Sequence, residues 1–175
     1  MRVHLWMGLS VISLIAFGSD SSLAQIGAAQ CVDRGLDGAY APWGQIAVEA
    51  DTATGENNVP AHAIPIGTRI HLTLAHRDDV AFVLPPEEPN MPVEYVYSGM
   101  AHFTLPEAGT YRIASVEGMW IDVVQNGVLV TSTAFGRGPE CMGKHVDFPL
   151  TAGEAVLQLS GGPYETVDVL IVKVP

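Results

Sequence analysis

Asn126-Gly127 lies between two apolar runs, 119–124 (MWIDVV) and 128–133 (VLVTST). A two-residue hairpin turn that matches the twist of its strands needs positive φ at both central residues. Asn-Gly supplies this at the lowest steric cost. The chain is therefore committed here to two antiparallel strands. Period-2 alternation supports the first of them: Met119, Ile121 and Val123 share one face, with Trp120, Asp122 and Val124 opposite. The same reading applies upstream. In 110–115, Tyr111 and Ile113 share a face; in 69–75, Ile70, Leu72 and Leu74 point one way and Arg69, His71 and Thr73 the other.

Further strands are expected over 45–50, 80–84, 93–97, 101–105, 146–150, 155–160 and 167–174. Ser98-Gly99-Met100 separates two of them as a turn. The two prolines in 59–66 mark an edge or extended segment. The stretch 85–92 (PPEEPNMP) reads as a surface loop, and 135–144 (FGRGPECMGK) as a glycine-rich loop. No segment sustains a 3.6-residue apolar period. About ten short strands with regular turn signals predict an all-β fold, an antiparallel two-sheet β-sandwich of jelly-roll type. Residues 25–44 read as an irregular lead-in, with Tyr40 and Trp43 packed as lids, and 45–175 as the sandwich domain.

The first 24 residues read as a signal peptide. Arg2 precedes an almost wholly apolar stretch over 5–18, and Ser22-Leu23-Ala24 places small residues for cleavage after Ala24. The apolar run is short of the roughly 20 residues of a membrane span. Export to the periplasm or medium is expected, with no membrane insertion after cleavage. Removal of 1–24 takes one base and one acid, Arg2 and Asp20, so the formal charge stays at −11. That charge repels polyanions and argues against nucleic acid as a partner. The two cysteines, Cys31 and Cys141, both follow the cleavage point. In an oxidising compartment a disulfide between them is the default. It would close a loop of roughly 110 residues, worth about 4–5 kcal/mol in the chain-entropy picture. A role as metal ligands stays open beside it, without CxxC or CxxH spacing to support it.

Two sets of residues carry candidate chemistry. His71, His102, His145 and Asp147 fall on the non-core faces of their strands. His145 and Asp147, two apart, share a face. Convergence on one sheet surface would suit a divalent metal, including the two-histidine, one-carboxylate set of non-haem iron. The ordinary alternative is scattered solvent-facing histidines. The second set is Trp120 and Asp122, a ring beside a hydrogen-bonding carboxylate, together with Tyr97; these suit a small-ligand or glycan surface. Their ordinary alternative is core packing. Glu87-Glu88 and Asp78-Asp79 read as solubilising pairs. There is no G-x-S-x-G elbow and no phosphate loop opening a helix, so no catalytic residue is assigned.

The runs GTYRIAS, MWIDVVQNG, VTSTAFGRGPEC and KHVDFPLTAGEAVLQLSG resemble short exported proteins of alphaproteobacteria, chiefly sphingomonad-like bacteria. Some of these carry the label homogentisate 1,2-dioxygenase. The resemblance covers Tyr95 to Val174 and the N-terminal cysteine. The chain has no cupin-type H-x-H followed by Glu, so no iron ligands carry over. The resemblance implies a secreted, disulfide-linked β-domain. The leading expectation is a non-catalytic periplasmic module that binds a small molecule, a glycan or a periplasmic protein, with no cofactor. The alternative is a metal-binding protein, or a metal-dependent dioxygenase-like enzyme using the four residues above.

Overall fold

The computed structural model describes residues 38–88, 92, 94–138 and 142–175. The signal segment, Cys31 and Cys141 lie outside the described residues. Eleven strands form among the described residues: β1 (Val48–Asp51), β2 (Arg69–Thr73), β3 (Ala75–His76), β4 (Tyr97–Leu105), β5 (Gly109–Ser115), β6 (Trp120–Gln125), β7 (Val128–Leu129), β8 (Ala134–Gly136), β9 (Lys144–Leu150), β10 (Gly153–Gly162) and β11 (Thr166–Val174). They make two sheets. Sheet one runs β1-β2-β11-β5-β9-β8 and sheet two runs β3-β4-β10-β6-β7.

Four antiparallel pairs, β2/β11, β4/β10, β5/β9 and β6/β7, nest inside one another along the chain. This is one long hairpin rolled into two sheets, the jelly-roll arrangement expected from the turn pattern. Among the described strands β1 pairs with β2 in parallel. At the innermost turn Asn126 and Gly127 have φ of 55° and 76°, the two positive values a type I′ turn requires. The neighbouring Gln125 side chain is buried and exchanges hydrogen bonds with the Thr151 backbone at 3.0 and 2.9 Å. The hairpin tip is thereby fastened to the β9–β10 connection.

Alternation builds the core. Ile70, Tyr111, Ile113, Val146, Phe148 and Val169 come from sheet one; Phe103, Ile121, Val123, Leu157 and Leu159 meet them from sheet two. Both outer faces are also covered. On sheet one, the 3-10 turn Gly38–Gly44 lays Trp43 over Ala114, Leu170 and Val172. Trp43 is a lid, as its position before the first strand suggests, and it is 0 % exposed. On sheet two, Ala53, Val59, Val80, Phe82 and Val83 cover Met100 and Val156.

Several local expectations need correction. Residues 80–84 make only an isolated bridge, Ala81 to Gly55, because their apolar side chains serve as a cover rather than a ladder. Val128–Leu129 pairs for two residues only, and β8 rises from the stretch read as a glycine-rich loop. Residues 59–66 hold part of a 3-10 turn and a bridge from Ala63 to His102. Ser98-Gly99-Met100 is not a turn. β4 runs straight through it, because the glycine serves a close approach: a Cβ on Gly99 would overlap the Thr52 side chain. Thr52 is itself pinned, its N and Oγ1 both donating to Thr73 O at 3.1 and 2.7 Å. Gly99→Ala is therefore expected to cost about 1–3 kcal/mol in urea unfolding. A cost below about 0.5 kcal/mol would show that the Thr52 crossing yields freely.

Candidate functional site

His71, His145 and Asp147 land on the outer face of sheet one, Trp120 and Asp122 on the outer face of sheet two, and the chemistry of the two faces differs. On sheet one the polar groups are used up by one another. Asp168 of β11 sits directly across from His71 of β2. Its Oδ1 is 2.7 Å from His71 Nδ1, and its Oδ2 accepts from Arg69 Nε and Nη2 at 3.2 and 2.5 Å. Arg112 of β5 faces Asp147 of β9 and donates to both carboxylate oxygens at 2.7 Å. Arg112 Nη1 also donates to Tyr40 Oη at 3.2 Å, and Tyr40 Oη lies 3.3 Å from His145 Nδ1. The Asp147 hydrogen bonds raise the Arg112 pKa above its already high value. Burial, then the Arg112 charge, pushes the His145 imidazole below its usual value. The Arg69 and Arg112 guanidiniums lie 5.8 and 5.7 Å from the Trp43 and Tyr40 rings.

This geometry disposes of the expected metal set. His71 and His145 are on the same face, but β11 and β5 separate their strands. Three strand spacings put them about 14 Å apart. Asp147 spends both oxygens on Arg112. His102 is on sheet two, 3.8 Å from Glu154 Oε1. Among the described residues no three His, Cys, Asp or Glu side chains converge as a metal site would require. Alternation gives the face of a strand correctly in each case; it cannot give the column.

On sheet two Trp120 and Asp122 do share a face. Trp120 Nε1 donates to Asp122 Oδ1 at 2.8 Å. The Glu87 backbone N–H donates to Asp122 Oδ2 at 3.2 Å. Asp122 is buried, and that burial raises its carboxyl pKa against the lowering effect of the two donors. Tyr97 does not join them. It lies at the start of β4 and packs against the central core, on the side of the sheet away from Trp120.

Two other groups complete this face, and alternation within β6 does not reveal either. Lys144 opens β9 of the other sheet and reaches across, its Nζ 4.6 Å from the Trp120 ring centroid. Burial lowers the pKa of this amine, with the Asp122 charge acting the other way. No carboxylate oxygen of a described residue lies within ion-pair distance of it. Ser160 of β10 stands directly across from Trp120, and its Oγ is buried with no hydrogen-bond partner among the described residues. The neighbouring Gln158 is satisfied: its amide bonds Leu84 N and O at 3.2 and 3.0 Å and holds the covering segment down. A signal for Lys144 was present in the chain, which has only two lysines, Lys144 and Lys173. Its place at the end of 135–144 reads as a glycine-rich loop instead.

A third feature is an open hollow of about 500 Å³ lined by Thr54, Gly55, Glu56, Asn57, Asn58, Ala81 and Phe82. It offers one carboxylate and no partner charge, so it is chemically the poorest of the three. The face around Trp120 is the one with polar capacity to spare, and it is the candidate site. No protein-family model and no curated protein matches this chain.

Proposed function

We propose that this chain is an exported, non-catalytic binding domain that takes a small polar ligand on the face formed by Trp120, Asp122 and Lys144. Export is supported by the basic, apolar and small-residue pattern of 1–24. The observation that carries the binding reading is the contrast between the two faces. Arg69 and Arg112 are each locked to a carboxylate, whereas the Lys144 amine rests on an indole with no acceptor of its own among the described residues. An amine, a buried carboxyl and an aromatic edge in one place can recognise a ligand bearing both hydroxyl or amine donors and an apolar surface.

Tryptophan fluorescence tests this directly. In the mature chain carrying Trp43→Phe, Trp120 is the sole indole. Titration with a panel of neutral saccharides and amino acids is expected to give a saturable change for at least one compound. Asp122→Asn is expected to weaken that binding by about tenfold or more, as loss of a charged hydrogen-bond partner does. A silent panel, or binding that survives Asp122→Asn by fluorescence and Trp120→Ala by calorimetry, would sink the assignment.

A further inference from the structure

The two lysines of the chain stand in opposite environments. Lys173 is exposed and its Nζ lies 2.8 Å from Glu107 Oε1, an ion pair that holds the proton on the amine. Lys144 is half-buried, without an ion-pair partner among the described residues, and set against the Trp120 ring with Asp122 close by. Among the described residues the acidic groups at this face include Asp122 and Glu87, whose charge raises Asp122 further, and the Glu117 backbone packs on the neighbouring Gly143. In a protein of formal charge −11, these neighbours make the spot a poor trap for anions. The geometry sets an amine over an apolar ring whose indole N–H is bonded to a buried carboxyl, and burial works against both charges, lowering the amine pKa and raising that of the carboxyl. An amine and an acid so placed suit addition to a carbonyl carbon followed by loss of water.

We propose that Lys144 captures a small aldehyde or ketone reversibly, as an imine, on the Trp120–Asp122 face. The inference rests on that face being the ligand site. The neutral amine adds to the carbonyl carbon, and one amine hydrogen passes to the oxygen to give a carbinolamine. The Asp122 carboxyl protonates the hydroxyl, which leaves as water. The nitrogen then loses its second hydrogen to the Asp122 carboxylate, restoring the acid. The net change is amine plus carbonyl to imine plus water, with no oxidant or reductant. The Trp120 ring supplies an apolar wall for the carbonyl substituent.

Having only two lysines makes the test clean. The mature protein is incubated at pH 7 with propanal, and separately with pyruvate, in the presence of cyanoborohydride, and peptides are read by mass spectrometry. The reduced adduct is expected on Lys144 about tenfold or more faster than on Lys173, with the α-amine as internal reference. Lys144→Arg keeps a cation over the ring and is expected to abolish the Lys144 adduct. Asp122→Asn is expected to slow trapping at Lys144 by about tenfold or more. Should that variant fail to fold, the wild-type pH–rate profile serves: trapping at Lys144 is expected to level off at lower pH than at Lys173. Equal labelling of the two lysines, or coincident pH profiles, overturns the proposal. If the fluorescence titration finds a ligand while Lys144 is not selectively trapped, imine capture falls and the binding face stands. If both are negative, both readings fall.

Discussion

Arg112→Met is expected to lower the unfolding free energy by about 3–5 kcal/mol. The reason is what it leaves behind. Asp147 is 6 % exposed, and its two carboxylate oxygens both bond to Arg112. Without the guanidinium a buried charge has no partner and must either stay desolvated or take up a proton. The pair itself need not be a large net stabiliser, because the cost of drying two charges offsets much of their attraction. Arg112→Met with Asp147→Leu is therefore expected to recover more than half of the loss. Urea unfolding of the four chains closes the cycle, and additive losses would show that the pair does not act as a unit. A second readout is local. The Arg112 charge is one of the two causes that hold the His145 pKa down, and Asp147 acts the other way. In the single variant, proton NMR is expected to find His145 titrating at higher pH than in the parent. An unmoved His145 would mean that burial alone sets it.

This pair marks the limit of what alternation could say. The sequence places Asp147 and His145 on one face correctly, and His71 likewise. It cannot supply the order of strands, and order decides the partners: Asp168 reaches His71 across 97 residues of chain. Four residues that looked like one ligand set are instead members of two ion networks and an outlying histidine on the other sheet. The hairpin was legible because its cause is local, the positive φ tolerated by Asn126 and Gly127. Gly99 was misread because its cause is distant. The absence of a side chain there makes room for Thr52, 47 positions earlier, and nothing in Ser98-Gly99-Met100 says so.

The candidate site divides the same way. Trp120 and Asp122 are two apart on one strand, so their shared face and their hydrogen bond follow from local geometry. Lys144 belongs to the other sheet and arrives at Trp120 by folding alone. One global feature was readable and went unused. VLIV at 169–172 in β11 is apolar at four consecutive positions, which signals a strand buried on both faces. A sandwich strand of that kind needs a cover outside the sheet. The aromatics ahead of the first strand, Tyr40 and Trp43, were the ones free to supply it.

That cover carries the second large effect. Trp43→Ala is expected to cost about 3–5 kcal/mol, the usual loss for a fully buried large aromatic. The side chain seals Leu170, Val172 and Ala114, and its removal opens the outer face of β11 and β5 to water. The lost contact also touches electrostatics, since the Arg69 guanidinium lies 5.8 Å from the ring and pairs with Asp168. Trp43→Phe separates shape from chemistry. The indole Nε1 is buried with no hydrogen-bond partner among the described residues, an arrangement that costs about 1–3 kcal/mol where it occurs. Phenylalanine removes that donor and keeps most of the ring, so its net cost is expected to be less than half that of alanine. Thermal and urea unfolding of the two variants decide between the alternatives. If phenylalanine is as damaging as alanine, the indole N–H is making a bond that matters. If alanine is tolerated, the 3-10 turn Gly38–Gly44 is an appendage and the outer face of sheet one is stable without it. The expected order, parent above phenylalanine above alanine, makes Trp43 part of the folded unit and moves the start of the domain ahead of residue 45.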